Sequence, residues 1–191
     1  MSLSRLIPLV AFLPAFSGCS TSPDQGPGQP QGQGQAVVDA GPFLAVVSDF
    51  SGFHAWSSTP GVAPDGAPQP PSGPDGGVHI GPLTTYINHK PPGGSASFPV
   101  GTIIVKEPDH GALTDRQIFA MVKRGSGFDP SGWEWFELRN LDANDVTILW
   151  RGLGPPAGEA YGTSIEVCSA CHSGAQRNDF VWTEGLELSS F

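Results

Sequence analysis

The sequence predicts a mainly β (α+β) fold, in which an antiparallel sheet is accompanied by a few short helices. Two observations lead to this prediction. From Val78 onward, short runs rich in β-forming residues recur about every ten residues, and Gly, Pro, Asn and Asp stand between them. The chain has 191 residues, which is enough for one domain.

Six runs are predicted to form strands. Ile118–Lys123 fits a strand or a helix, and the strand is favoured because two glycines follow closely and the neighbouring runs are strands. In a later run, period-two alternation directs Trp133, Trp135 and Leu138 inward. The predicted strands are Leu83–His89, Phe98–Glu107 (which Pro108 ends), Ile118–Lys123, Trp133–Asn140, Asp145–Trp150 and Asp179–Thr183.

Two stretches precede the predicted sheet. Phe50, Phe53 and Trp56 recur at helical spacing, which predicts a short amphipathic helix within residues 48–58. Residues 59–77 are rich in Pro and Gly and are low in sequence complexity. Since apolar segments lie on both sides of that stretch, it is predicted to be a surface loop within one domain.

The first 18 residues resemble an export signal. Arg5 gives a basic start, and Leu6–Phe16 is an apolar run of 11 residues, too short to span a bilayer. Ser17-Gly18-Cys19 then resembles a bacterial lipobox, which predicts cleavage before Cys19 and lipidation of its thiol. An ordinary signal peptidase site is the alternative. Lipidation is favoured because a lone exposed thiol is a liability in a secreted protein.

The predicted signal, residues 1–18, is followed by a predicted tether. Residues 19–36 hold the lipidated cysteine and then Pro, Gly and Gln, with almost no apolar side chain to bury. The folded domain is predicted to cover residues 37–191. This organisation places the protein in the bacterial cell envelope, anchored to a membrane through lipid and facing the periplasm or the exterior.

The chain is acidic, with 18 Asp and Glu against 9 Lys and Arg and a formal net charge of −9. Such a domain is a poor partner for nucleic acid or for an anionic lipid surface. An acidic surface suits a basic redox partner protein, and it is also a common means of remaining soluble.

Cys168-Ser169-Ala170-Cys171-His172 has the C-x-x-C-H pattern that attaches a c-type haem. Cys168 and Cys171 would bind the porphyrin covalently, and His172 would be an axial ligand of the iron. Structural zinc needs four ligands, of which this motif supplies three at most. A thioredoxin-type pair follows a strand in a βαβ unit, whereas this motif lies near the end of a β-rich chain. One covalently attached haem c is therefore the favoured cofactor.

The sixth iron ligand separates electron transfer from ligand chemistry. After His172 the chain contains neither Met nor His, and Met121 is the only methionine besides Met1. For His54, His79, His89 and His110, a structural or solvated role is the favoured interpretation. An open iron position is thus predicted, and an open position suits ligand binding or catalysis.

Three segments together resemble the cytochrome P-460 and cytochrome c′-beta family. They are the strand Phe98–Glu107 with its G-T-I-I-V-K-E sequence, Trp133–Phe136, and Cys168–His172 followed by D-F-V-W-T at 179–183. The resemblance covers about residues 40–185 and is strongest from Thr84 onward. It implies a mostly antiparallel β fold, commonly dimeric, with a five-coordinate haem whose proximal ligand is His172.

The resemblance also implies two activities. In members that oxidise hydroxylamine, the lysine of the G-T-x-x-V-K-E strand is bonded to the porphyrin edge, and the matching residue is Lys106. The c′-beta members lack that bond and bind nitric oxide. From the residues alone, Lys106 is either a charge that guards a sheet edge or a functional group. Hydroxylamine oxidation needs a proton acceptor, for which Glu159 and Glu166 are candidates.

These observations predict a periplasm-facing haem c protein with an open iron that binds or converts nitrogen oxides. Two forms of this function fit the sequence, an enzyme that oxidises hydroxylamine (an oxidoreductase) and a protein that binds nitric oxide without turnover. The alternative is a membrane-tethered electron carrier whose sixth ligand is a residue such as Met121.

Overall fold

The computed structural model describes residues 42–62, 82–125, 127–155, 161–163 and 167–191, all of which belong to the compact unit Val38–Phe191. They form one sheet of seven strands whose spatial order is the order along the chain. The strands are β1 (Ser57–Val62), β2 (Pro82–Ile87), β3 (Ile103–Pro108), β4 (Ile118–Lys123), β5 (Trp133–Asn140), β6 (Val146–Gly152) and β7 (Tyr161–Gly162).

Neighbouring strands pair antiparallel from β1 to β6, and only the short β7 joins its neighbour in parallel. The prediction of a mainly β fold with an antiparallel sheet is therefore confirmed, with the correction that β7 makes the sheet mixed. One α-helix, α1, is present among the described residues and comprises Cys168–His172. The 3₁₀ helices are Val47–Phe50, Phe53–Ala55, Leu113–Asp115, Ser173–Asn178 and Leu188–Ser190.

Both faces of the sheet are covered, each by one end of the described chain. The N-terminal face, which carries Ile103, Val105 and Phe136, packs against Phe50 and Phe53. The opposite face, the motif face, carries Ile104, Met121 and Trp135 and packs against Val181, Leu186 and Leu188 from the C-terminal segment 167–191. Because both faces are buried, apolar residues follow one another without alternation in Ile103–Val105 of β3 and Ile118–Val122 of β4.

Strand β5 shows the effect of this double burial. Trp133, Glu134, Trp135 and Phe136 are all buried, although successive side chains point to opposite faces. A bulge between Glu137 and Leu138 shifts the register with β6. The alternation along β5 is not interrupted, so Glu137 lies on the motif face with Trp135, and the buried Leu138 lies on the N-terminal face with Phe136.

Three sequence predictions need correction. Residues 48–58 form two 3₁₀ turns and the start of β1 rather than one amphipathic helix. Residues 59–62 of the predicted loop belong to β1, and residues 63–77 lie outside the described residues. Asp179–Thr183 is not a strand, because Asp179 and Phe180 have left-handed φ angles of 51° and 67°, which a strand does not allow.

The bounds of the other strands differ less from the predicted bounds. Strand β3, predicted as Phe98–Glu107, begins at Ile103, five residues later than predicted, and Pro108 is its last residue instead of the residue that ends it. The strands at 118–123 and 133–140 have the predicted bounds. No helix of the described residues is long and apolar enough to cross a membrane.

Candidate functional site

Helix α1 brings the two thiols and the imidazole of the C-x-x-C-H motif together on the motif face. Cys168 packs against the apolar core there, and Cys168 and Cys171 are both half-buried. Burial raises the pKa of Cys168 to about 12. Burial also raises the pKa of Cys171, and the nearby Lys106 opposes that rise. The thiols are therefore protonated and uncharged at neutral pH.

His172 is held in one tautomer. Its Nδ1 lies 2.7 Å from the carbonyl oxygen of Phe180, and because a carbonyl only accepts, Nδ1 must donate the hydrogen. The ring lies against Trp135, with the two ring centroids 4.5 Å apart. Burial first, and the charge of Lys106 second, lower the pKa of His172 to about 3. The imidazole is thus neutral, with its lone pair on Nε2, which is the form that ligates a metal.

Lys106 lies beside this motif on an interior strand. Strand β3 is flanked by β2 and β4, so the interpretation of Lys106 as a guard of a sheet edge is wrong. The side chain is 9% exposed, and Nζ donates a hydrogen bond of 2.6 Å to the carbonyl of Trp182. Burial lowers its pKa to about 8, against an opposing influence of the Cys171 thiol. Lys106 is therefore within electrostatic reach of both Cys171 and His172.

Trp182 links α1 to Lys106. Its indole Nε1 donates to the carbonyl of Cys171 at 3.1 Å, while its own carbonyl accepts from Lys106. The ring packs so closely on Gly174 that a Cβ there would lie 2.6 Å from Trp182 Cζ2. Only a glycine at 174 leaves room for this contact.

Across the sheet, Lys106 shares a row with residues of the neighbouring strands. It is paired with Thr85 on β2 and with Phe119 on β4, and Phe119 is paired with Glu137 on β5. Thr85 Oγ1 is buried and, among the described atoms, has no hydrogen-bond partner. It is thus available to a polar group of a bound cofactor or ligand.

Glu137 is a half-buried carboxylate in the same row. It accepts hydrogen bonds from the indole Nε1 of Trp150 and from Gln117 Nε2 at 3.2 Å. The two carboxylates predicted from the sequence, Glu159 and Glu166, lie outside the described residues. Glu137 is therefore the carboxylate that the described sheet itself places on the motif face.

The other predicted residues are located as follows. Met121 is buried on the motif face, where it pairs with Trp135 across β4 and β5. His54 stacks on Phe53 and its Nε2 lies 3.1 Å from Glu107, on the N-terminal face. That location confirms the prediction of a structural role for His54.

His89 and His110 are both exposed, as expected for loop histidines. The predicted lipidation site, Cys19, and His79 lie outside the described residues. Among the residues that are described, no three His, Cys, Asp or Glu side chains form a group that could hold a metal ion. A haem brings four ligand nitrogens of its own, so it needs only one or two ligands from the protein.

Sequence reasoning missed the residues that orient the motif. Trp135 contacts the ring of His172, and its Nε1 donates to Ser169 at 3.2 Å. The carbonyl of Phe180 and the indole of Trp182 belong to the segment that was predicted to be a strand. The composition D-F-V-W-T gave no sign that this segment turns back to meet the motif.

The donor set fits a haem c. Two half-buried thiols and a neutral imidazole with an oriented Nε2 lie on one short helix, beside an apolar face that includes Met121 and Trp135. Comparison of the chain with family models, with curated proteins and with solved structures found no match.

Proposed function

We propose that the chain is a c-type haem protein that binds or converts small nitrogen oxides. Cys168 and Cys171 would hold the porphyrin covalently, and Nε2 of His172 would bind the iron. The observation that carries the proposal is the 2.7 Å hydrogen bond from His172 Nδ1 to the Phe180 carbonyl, because it directs Nε2 away from the protein backbone as a lone-pair donor.

The surroundings of His172 support the same role. A buried imidazole that serves only as a core residue normally satisfies both ring nitrogens. Here burial keeps the ring neutral while one nitrogen donates to a carbonyl, as in many metal-binding histidines. A bound haem iron would supply a coordination position for a small ligand and a means of exchanging electrons.

The nitrogen-oxide part of the proposal is supported by the family resemblance and by the place of Lys106. In hydroxylamine-oxidising members of the family that the chain resembles, a lysine is bonded to the porphyrin edge, and Lys106 is the matching residue. With a pKa of about 8, about one tenth of the Lys106 amine is neutral at pH 7, against about 0.03% for a lysine of pKa 10.5. The neutral amine is the nucleophilic form. Burial, against the opposing influence of Cys171, thus enlarges the neutral, nucleophilic fraction of the Lys106 amine.

Two side chains on the motif face have the chemistry to assist the oxidation of hydroxylamine. The carboxylate of Glu137 could accept a proton, since a general base needs an ionised carboxylate within reach of the substrate. The hydroxyl of Thr85 could donate to a ligand oxygen. Glu159 and Glu166 remain candidates for the same proton-accepting role.

Haem attachment is tested first, in the full chain matured by a bacterial host that attaches haem c outside its cytoplasmic membrane. We expect a covalent haem that survives denaturation and migrates with the polypeptide. The double variant Cys168→Ala/Cys171→Ala should lose it, and Cys19→Ser, which changes a cysteine outside the motif, should keep it. Covalent haem in the double variant would contradict the assignment.

The spectrum of the purified ferrous protein tests the coordination. An open position predicts a high-spin ferrous spectrum that changes on addition of nitric oxide. A low-spin spectrum that becomes high-spin in Met121→Ala would instead support the alternative, an electron carrier with Met121 as sixth ligand. Reduction of an electron acceptor that depends on hydroxylamine would distinguish an enzyme from a binding protein.

The Lys106 bond is tested by mass spectrometry of the haem peptide. A bonded haem peptide should contain both residues 168–172 and Lys106 in the wild type, and residues 168–172 alone in Lys106→Met. A wild-type peptide without Lys106, together with an ordinary haem c spectrum, would favour nitric oxide binding without oxidation of hydroxylamine.

The location and partners are proposed on the sequence alone. Lipidation at Cys19 would anchor the protein to a membrane of the cell envelope, and a redox partner protein would exchange electrons with it. Labelling with a radioactive fatty acid should mark the wild type and not Cys19→Ser. An unlabelled wild type would favour an ordinary signal peptidase site.

A further inference from the structure

We infer that the ion pair of Lys123 and Asp179 is a positioning device that keeps the Phe180 carbonyl on Nδ1 of His172 and so sets the donor strength of this histidine toward iron. The inference rests on the proposed haem function for its second half. The first half, the positioning of the imidazole, is a property of the chain itself.

The backbone that offers this carbonyl is strained. Asp179 and Phe180 follow one another with φ angles of 51° and 67°, and neither is a glycine. A bulky residue such as phenylalanine rarely adopts a left-handed conformation, because its side chain crowds the backbone there. Such a turn persists only where the surrounding structure holds it. Phe180 N donates to the carbonyl of Ala175 at 3.0 Å, which fixes the turn on one side.

Asp179 fixes the other side through contacts with three distant parts of the chain. Its Oδ1 lies 2.7 Å from Lys123 Nζ at the end of β4, and its Oδ2 accepts from the backbone of Phe98 at 2.8 Å. The carbonyl of Asp179 accepts from the indole of Trp133 at 2.7 Å. These contacts join the turn to the sheet and hold it in the left-handed conformation.

Lys123 has a restricted position of its own. Nζ also donates to the carbonyl of Ser131 at 2.8 Å and lies 5.0 Å from the centroid of the Trp133 ring. The Lys123 and Asp179 side chains are each only 10% exposed. A surface ion pair contributes little to structure, whereas removal of one member of a buried pair leaves the other without compensation. The pair therefore has the strength to decide where the turn lies.

Loss of the ion pair should change the reduction potential of the iron in one direction. A hydrogen bond from Nδ1–H to a carbonyl makes the imidazole a stronger donor at Nε2, and a stronger donor favours ferric over ferrous iron. Loss of the ion pair lets the turn relax to ordinary φ angles and moves the carbonyl away from Nδ1. The reduction potential of the iron should then rise. Outer-shell partners of ligating histidines change metal affinity by about 10–100-fold. A tenfold change in ferric preference equals about 59 mV for a one-electron couple.

Lys123→Gln tests the inference against Arg124→Gln as a matched control. Arg124 is the next residue and forms an ion pair of 2.8 Å, against 2.7 Å for Lys123 and Asp179, but with Glu134 on the N-terminal face. In the full haem-loaded protein, we expect the reduction potential of the iron to rise by about 59 mV or more in Lys123→Gln. In Arg124→Gln it should change by only a fraction of that amount. In Lys123→Arg, which restores the positive charge, it should return towards the wild-type value. The iron–histidine stretching band of the ferrous protein should fall in frequency in Lys123→Gln alone.

Equal shifts in Lys123→Gln and Arg124→Gln, or no shift in either, would overturn the inference. A haem-independent measurement covers variants that do not mature. In the haem-free full chain, nitrogen NMR of His172 should show hydrogen on Nδ1 in the wild type and a mixture of tautomers in Lys123→Gln. The wild-type tautomer in that variant would overturn the positioning role. If haem never attaches but the tautomer changes, the proposed function fails and the positioning role stands.

Discussion

Replacement of Lys106 by methionine should stabilise the haem-free chain at neutral pH, although it removes a hydrogen bond. Methionine has a similar shape and no charge. The gap between an ordinary pKa of 10.5 and the value of about 8 for Lys106 corresponds to about 3 kcal/mol of cost for burying the ammonium. The lost bond to the Trp182 carbonyl is worth about 1 kcal/mol, because that oxygen also accepts from Thr183 at 2.7 Å. The expected net gain is about 2 kcal/mol at pH 7.

The pKa of Lys106 also determines how the free energy of unfolding changes with pH, and in which direction. Between pH 8 and pH 10.5 the unfolded chain keeps a proton on residue 106 that the folded chain has lost. Because the unfolded state binds more protons in this window, the free energy of unfolding of the wild type should rise with pH by about 3 kcal/mol. Lys106→Met lacks this rise. Its advantage at pH 7 should therefore disappear as the pH approaches 10.

Urea unfolding at several pH values between 7 and 10.5, with a reductant for the thiols, measures the difference between wild type and Lys106→Met. The difference cancels the titration of those common groups that Lys106 does not influence, so Cys171 and His172 are the exceptions. Lys90→Met, which removes an exposed lysine, controls for the general effect of one positive charge. A difference that does not vary with pH, or a variant less stable than the wild type at pH 7, would refute the reasoning.

Three further changes should destabilise the fold, each measurable by urea or thermal unfolding. Glu134→Gln leaves two arginines that bond this buried carboxylate at 2.7–2.8 Å without their counter-charge, which should cost about 3 kcal/mol; a loss under 1 kcal/mol would contradict this. Gly174→Ala sets a methyl group 2.6 Å from Trp182 and should cost about 1–3 kcal/mol, with a change in tryptophan fluorescence that an exposed glycine substitution lacks. Phe136→Ala should cost about 3–5 kcal/mol, since Phe136 is fully buried against Phe50, and unchanged stability would refute its core role.

The sequence allowed the strands to be predicted where local signals and tertiary packing agree. The β-branched and aromatic residues of 118–123 and 133–140 form strands with the predicted bounds, because they fill a sheet buried on both faces. Residues 179–183 have similar composition and form a turn. There the hydrogen bonds to Phe98, Lys123 and Trp133 decide the backbone, and these partners are distant in sequence.

The candidate site, likewise, was predictable only where its residues are close together in the sequence. The thiols and His172 are recognised from spacing within five residues, and their grouping on α1 follows from that spacing alone. The role of Lys106 depended on strand order, which a single sequence does not contain. Once β3 is known to be interior, a lysine on it cannot be an edge charge.

The order of the strands has a consequence for the time course of folding. Since every strand pairs with its neighbour along the chain, the meander needs no contact with segment 167–191 in order to form. That segment follows the seven strands along the chain and packs on the motif face as a separate layer. If this segment packs after the sheet has formed, the two thiols, which it carries, stay accessible until then. A cofactor could be attached during this interval, and the closing segment would then fold over it.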